Sequence, residues 1–411
     1  MADIFSIKEF IKNNRDEYVK LESLLTSHKA LAPENGGEGE LDKCEALEKY
    51  LCEHGITKLT RYDAPDSRAK GGIRPNLVAE IEGESDDYSV WIIAHLDVVP
   101  AGDLSLWETD PWTVVEKDGK LFGRGTEDDQ QGLVSAVAAA YAYVKNGIKP
   151  KHTVKLLFAA DEEVGSKYGI IWLLKNTDIF KKEDLIIVPD GGDSKGETIE
   201  VAEKNILWFE FTTAGRQSHG SRPDEGNNAC LAASDLAVTL HKELYKKFSK
   251  KDSLFNPAYS TFEPTMRKAN VDGVNIIPGK DVMCMDCRII PTYSCEEVIN
   301  YVEKIIKSVE KKYGVTVTYK ILQKAQSVPT SKDSKVVKLL SKSLKDAHGI
   351  DSKIIGIGGG TVGAELRNEG FDCVVWGTLD ERCHMPNEYC VIDNLIKDAQ
   401  TLAVLMGMEL I

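Results

Sequence analysis

The stretch TVKLLFAADEEVG, residues 153–165, decides the fold. Its first half is a short, continuous apolar run, the pattern of a strand buried on both faces of a sheet. It breaks at once into three carboxylates, Asp161, Glu162 and Glu163. Such a triplet ordinarily belongs to a solvated loop, because like charges repel and each is costly to desolvate beside a buried strand end. The alternative is that something positive sits opposite them. Two more runs, YSVWIIAHLDVV (88–99) and DLIIVPD (184–190), also carry acids at the end of an apolar segment.

Around these runs, strand and helix signals alternate. Residues 4–27 and 41–54 have helical spacing and are split by the loop APENGGEGE. NLVAEIEG (76–83) reads as a strand, WTVVEKDGKLFGRG holds a DG turn between strand-like runs, and 130–146 is an Ala-rich helix. The alternation resumes near the C-terminus with a helix at 334–347, the strand SKIIGIG, a helix at 362–369, the strand FDCVVWGTL and a helix at 393–409. This layout predicts an α/β domain with a central, mostly parallel sheet. Between the two parts the order is strand 206–215, helix 227–247, strands STFEPTMRKAN and DVMCMDCRIIP, a helix from Cys295, and strand VTVTYKILQ. That βαββαβ order is the ferredoxin-like unit. The expected organisation is one domain of residues 1–205 and 323–411 with a second, 206–322, inserted into it.

A net charge of −14 disfavours nucleic acid or an anionic membrane as a partner, since both want a basic face. The N-terminus has no apolar signal-peptide core, and the longest weakly polar run, LVSAVAAAYAYV (133–144), is too short to span a bilayer. Nine cysteines with scattered spacings read as reduced thiols, which points to the cytoplasm. Cys284 and Cys287 form a CxxC inside a strand pattern, where alternation sends the side chains to opposite faces.

His95 and Asp97 stand at i and i+2 at a strand end, facing the same way. A metal-bound imidazole gives its other N–H to a carboxylate, although a plain surface HxD would look the same. Asp128 and Asp129 enter the Ala-rich helix, where N-capping would suit them equally. Asp190 precedes two glycines, as in an ordinary turn, and His384 follows a strand in DERCHMPNE, as in a solvated loop. Together these positions repeat one placement, after strands or at helix entries. Sites in an open α/β sheet gather at the carboxyl ends of strands, and two imidazoles with several carboxylates suit zinc.

HLDVVP, GRGTEDDQQG, AADEEVG, PDGG, SHGSRPDEGNNA, NIIPGKDVMCMDCRIIP and CHMPNE stand in the order seen in one family. Over nearly its whole length the chain resembles the zinc-dependent aminoacylase/carboxypeptidase G metallopeptidases, which include acetylornithine deacetylase, succinyl-diaminopimelate desuccinylase, carnosinase and dipeptidases. The resemblance implies a di-zinc exopeptidase-like catalytic domain with an inserted lid and dimerisation domain. It implies two divalent ions per chain, zinc or else cobalt or manganese, bridged by Asp128. His95 and Asp190 would complete one site, Glu163 and His384 the other, and the Asp128–Asp129 peptide would be cis. Asp97 would orient His95, and Glu162 would act as general base on a water activated between the metals.

From the insert, His219 would reach the active site of the other subunit of a homodimer and stabilise the oxyanion. Arg288 and Asn275 would contact substrate, and Gly360 and Thr361 would line its pocket. The implied reaction is hydrolysis of an amide in a small substrate with a free carboxylate, an N-acyl amino acid or a dipeptide. The chain departs from the family where Gln130 and Gln131 replace a common lysine, and where APENGGEGE replaces a Ser-rich loop.

Two rival readings exist. Gly358, Gly360 and Gly363 spell GxGxxG between a strand and a helix, with Asp380 nearly twenty residues on, which would make the chain a nucleotide-binding oxidoreductase. The other is a catalytically inactive relative acting as a binding protein, against which the intact ligand set argues.

Overall fold

In the computed structural model, which describes residues 4–409, the run at 153–160 forms a fully paired interior strand. The chain opens with helices α1 (Ile4–Asn13), α2 (Arg15–Ser27) and α3 (Leu41–Glu53). Strands β1 (Leu59–Pro65), β2 (Ile73–Ile81) and β3 (Ser85–His95) follow. Next come α4 (Gly132–Lys145), β4 (His152–Ala159), α5 (Ile170–Asn176), β5 (Leu185–Val188) and β6 (Thr198–Glu203). A second set contains β7 (Asn205–Ala214), α6 (Ala229–Lys247), β8 (Thr261–Arg267), β9 (Lys280–Ile289), α7 (Cys295–Tyr313) and β10 (Thr316–Ala325). The chain ends through α8 (Lys335–His348), β11 (Lys353–Ile357), α9 (Val362–Asn368), β12 (Asp372–Val375) and α10 (Ile392–Met406).

Two compact units result. The first holds residues up to Val201, Thr330–Ile355 and those from Thr361 on; the second holds Ala202–Pro329 and Gly356–Gly360. The large sheet runs β1-β2-β4-β3-β5-β12-β6-β11. Its centre is parallel, with β3 between β4 and β5 and β12 beside β5. β1 and β2 add antiparallel strands on one side. Central strands are apolar on both faces because helices cover both. Trp91 on β3 is fully buried, and its indole N–H donates to the Asp184 carboxylate at 2.8 Å.

The second unit is an antiparallel sheet in the order β8-β9-β7-β10. Leu207, Phe209 and Phe211, alternating on β7, meet Leu236, Leu240 and Leu244 of α6 in its core. α7 begins with a full capping box between Ser294 and Glu297. Among the described residues no helix is long and apolar enough to cross a membrane. All nine cysteines are free.

Most expected elements form, and their departures have local causes. The helix expected over 4–27 breaks at Asn14, whose side-chain amide donates to the Phe10 carbonyl at 2.7 Å and closes α1. The DG turn forms as read: Asp118 and Gly119 both take positive φ, 54° and 74°, joining strands 115–117 and 120–122 as a tight hairpin requires.

Parallel pairing places the carboxyl ends of β4, β3 and β5 side by side, with His95 opposite Ala159. Behind that edge lies Arg74 on β2, completely buried. Its guanidinium grips the Glu40 carboxylate through Nε at 2.6 Å and through Nη2. Nη1 pairs with Asp161 at 2.9 Å. Burial pushes the Glu40 carboxyl up to about 7, and Arg74 opposes that rise. Asp161 itself sits at φ 68° and accepts the Tyr168 N–H at 2.9 Å, so it anchors the loop that carries Glu162. Removing one partner of a buried pair strands the others, so Arg74→Met should cost about 3–5 kcal/mol in urea denaturation. Lys70→Met, which breaks an exposed pair with Asp42, should leave the urea midpoint nearly unchanged.

Candidate active site

His95 closes β3 and is buried. Its Nδ1 lies 2.9 Å from the backbone carbonyl of Asp97 and 3.5 Å from the Asp97 carboxylate. A carbonyl only accepts, so Nδ1 carries a proton, and Nε2 faces the cleft and Asp128. Asp97 therefore orients His95 chiefly through its main chain. Its carboxylate does something else: the two oxygens accept the Glu162 and Glu163 N–H groups, each at 3.0 Å.

Asp128 stands in an irregular turn, residues 126–131, that delays the start of the Ala-rich helix to Gly132. The Asp128–Asp129 peptide is cis. One Asp128 oxygen is 2.9 Å from His95 Nε2, and the other is 3.1 Å from His384 Nε2. His384 Nε2 is also 3.0 Å from Glu163 Oε2. His384 takes a left-handed φ of 62° in its loop, and its side chain is 56% exposed.

Two ligand sets emerge that share Asp128: His95, Asp128 and Asp190, then Asp128, Glu163 and His384. In each set the candidate donor atoms lie within 4.8 Å of one another.

The electrostatics call for cations. Burial, then the neighbouring Asp128 and Asp129, hold the Asp190 carboxyl well above its ordinary value. Glu163 is likewise raised by burial, and its Oε1 is buried with no hydrogen-bond partner among the described residues. Burial would raise Asp128 too, but His384 and His95 hold it low. Asp128 and Glu163 push His384 up to about 10. Glu162 is pushed up to about 8, by burial first and then by Glu163, Asp97 and Asp128 against the pull of His95. Two imidazoles cannot balance this many carboxylates. A nitrogen and oxygen donor set without thiolate suits divalent zinc or its neighbours, so the residues fit a pair of metal ions.

The supports of the site were not legible beforehand. The buried Glu388 accepts the Glu127 and Asp128 N–H groups on one oxygen, at 3.0 and 3.1 Å. Its other oxygen takes the Gly125 N–H at 3.0 Å and the Arg124 guanidinium at 2.6 Å. Glu127 returns the favour, accepting the Asp380 N–H at 2.6 Å and the Arg382 N–H. Each loop is thus held by a carboxylate from the other. The only advance signal is a glutamate beside each ligand motif, in TEDD and in MPNE.

The remaining candidates take these positions. Gln130 donates to Thr26, and Gln131 to the Thr378 carbonyl and Asp398, tying the turn to α2 and α10. In the second unit, a short ribbon pairs His219 with Ile276, and the Gly220 N–H meets the Asn275 carbonyl at 2.7 Å. His219 Nδ1 receives the Ser221 N–H at 3.2 Å, which leaves the proton on Nε2. Arg288 is engaged internally: it holds Asp286 through Nε and Nη2, at 2.8 and 3.1 Å, and the Gly358 carbonyl through Nη1 at 2.9 Å. Gly360 follows in the same unit. Thr361, in the first unit, caps α9 by accepting the Gly363 N–H at 3.1 Å.

The glycine loop does not carry the dinucleotide reading well. Its strand β11 is the last in the sheet, α9 has seven residues, and Gly358 and Gly360 are not in the left-handed region. A dinucleotide site uses a switch point inside the sheet and a helix N-terminus facing it. The Asp380 carboxylate accepts the Tyr389 hydroxyl at 3.1 Å, and its backbone N–H is held by Glu127.

Comparison with known proteins agrees with this geometry. The chain is similar to an uncharacterized metallohydrolase of Methanocaldococcus jannaschii, 43% identical over 403 residues, covering 94% of this chain and 97% of that one. It is 26% identical over 367 residues to the succinyl-diaminopimelate desuccinylase of Nautilia profundicola, covering 89% and 92% of the two chains. Its fold is that of the crystal structure of aminopeptidase PepT from Bacillus cereus, with a TM-score of 0.76 at 18% identity over 96% of this chain and 98% of that one. Residues 91–407 match peptidase family M20/M25/M40, and with the desuccinylase among its relatives the chain belongs to that family and is a metal-dependent amide hydrolase.

Proposed function

We propose that this chain hydrolyses the amide bond of a small substrate bearing a free carboxylate, an N-acyl amino acid or a dipeptide, at a two-metal site. The observation that carries the proposal is the Asp128 carboxylate, which spans the Nε2 atoms of His95 and His384 with one oxygen each, at 2.9 and 3.1 Å. His95, Asp128 and Asp190 would hold one ion, and Asp128, Glu163 and His384 the other. Zinc suits this donor set, and cobalt or manganese share its preferences. When bound, such ions polarise the scissile carbonyl and acidify the attacking water.

The rest of the chemistry belongs to side chains. Glu162 is the general base. No described residue donates a hydrogen bond to its carboxylate, while its backbone is fixed to Asp97 at 3.0 Å. It takes the proton of the attacking water and delivers it to the leaving amine. His219 presents its Nε2–H to the oxyanion. Asn275, Gly360 and Thr361 are assigned to substrate binding, and Arg288, with two of its five N–H groups left over, is assigned to the substrate carboxylate. The desuccinylase relative removes an acyl group from an amine, which supports the N-acyl amino acid class.

A homodimer through the second unit accompanies this reading. Leu231 and Val238 share a face of α6 at 55% and 66% exposure, and Met266 is 50% exposed on the edge strand β8. An apolar helix face beside an unpaired strand edge is a surface that wants a partner.

Three outcomes are expected. Elemental analysis of the wild-type protein should find about two divalent ions per chain, and His384→Ala should retain about one. Glu162→Gln should keep its metal yet lose on the order of 10²–10⁴ in kcat; wild-type turnover would remove the base assignment. Val238→Glu combined with Met266→Glu should be monomeric in light scattering and should lose activity with the dimer. A fully active monomer would overturn the cross-subunit role of His219.

A further inference from the structure

Among the described residues of the first unit, four large apolar side chains are exposed: Phe5, Leu104, Leu106 and Met385. Single exposed leucines need no explanation. Here, however, Leu104, Leu106 and Met385, at 62%, 57% and 43% exposure, stand in two loops joined to each other. The Asn387 side chain makes the joint: its oxygen accepts the Glu108 N–H at 2.7 Å, and its amide donates to the Leu106 carbonyl at 2.9 Å.

The first loop is rigid in its own right. Asp103 accepts the Ser105 N–H at 2.9 Å, and the Trp107 indole donates to the Ala101 carbonyl at 2.9 Å. The Arg124 guanidinium stacks over Trp107 at 5.3 Å and is itself fixed to Glu388. The result is a braced ledge that ends at Met385, directly after the exposed metal-ligand candidate His384.

The Asn387 amide and the Trp107 N–H hold the loops, and Leu104, Leu106 and Met385 are the large apolar side chains the ledge leaves exposed, interleaved with the exposed Asp103, Ser105 and Glu108. Met385, at its end, adjoins His384 in the chain. We propose that this ledge is a subsite for an apolar group of the substrate, aliphatic or aromatic, next to the second metal position. The assignment rests on the amide hydrolysis proposed above and narrows its substrate class.

The test compares kcat/KM for N-acetylserine, N-acetylleucine and N-octanoylserine on metal-loaded protein, which adds the apolar group on either side of the scissile amide. The wild type should prefer one apolar member by roughly 10- to 200-fold, the range a hydrophobic subsite supplies. The triple variant Leu104→Ser, Leu106→Ser, Met385→Ser should bring that preference to within a few-fold and leave N-acetylserine unchanged. Circular dichroism and metal content check its fold, and Met385→Ser alone gives a partial loss should the triple variant misfold.

Equal rates on all three substrates with the wild type would overturn the ledge while leaving the hydrolase intact. So would an equal loss on all three in the variant, or a change in light-scattering mass with the preference unchanged, which would make the ledge a contact between copies. No hydrolysis of any of the three by protein carrying its full metal would overturn the N-acyl amino acid class and the ledge with it.

Discussion

Six carboxyl groups, on Asp97, Asp128, Asp129, Glu162, Glu163 and Asp190, crowd the carboxyl edge of one parallel sheet, and that crowding is the constraint on which the structure depends. Two like charges 4 Å apart repel by about 4 kcal/mol at a typical protein dielectric. Six would be prohibitive if left bare. Burial and this repulsion raise the Glu162, Glu163 and Asp190 carboxyls. Divalent cations would relieve it, because each brings two positive charges and is shared by several carboxylates at once.

The chain also answers with cations one layer back. Arg74 lies behind Asp161, and Arg124 behind Glu388. Lys43 is buried and lowered to about 8 by that burial, with Asp97 and Glu22 the leading charges that oppose the fall. None of the three is a ligand. Arg74 and Arg124 hold loop carboxylates in place, and backbone N–H groups do the rest, four of them directed at Asp97 and Glu388 oxygens within a range of 3.0–3.1 Å at Glu162, Glu163, Glu127 and Asp128. A site of this kind is preorganised by short-range bonds to rigid strand ends, which is what electrostatic catalysis requires.

The α/β layout was legible because buried parallel strands leave runs such as LIIV and FAA that few other structures explain. The candidate ligands were legible as a set, since each follows a strand or enters a helix at the same edge. The bracing was not. Arg74, Glu40, Glu127 and Glu388 look like surface charges in the sequence, and only their long-range pairing, such as that of Arg74 with Glu40 or of Glu127 with the backbone of Asp380 and Arg382, reveals them as buried. Periodicity reports which face a residue takes, not which distant charge it meets. The same limit applies to the exposed ledge: Leu104 and Leu106 fall in a loop with no period, and their neighbour Met385 is almost three hundred residues away.

Adjacent acids in this chain have opposite tasks, and backbone geometry assigns them. Asp128 turns its carboxylate to the two imidazoles, while Asp129, next to it, accepts the His95 N–H at 3.1 Å and supports the strand end from within. Asp161 adopts a left-handed φ of 68° that sends its carboxylate toward Arg74. Glu162 and Glu163 then follow in a short turn with both N–H groups on Asp97, so their side chains diverge, one toward His384 and the other with no described hydrogen-bond donor. Three consecutive carboxylates thereby become an anchor to Arg74, a carboxylate with no described donor and a partner of His384. A run of like charges that costs stability in any single environment becomes tolerable when each member is placed in a different one.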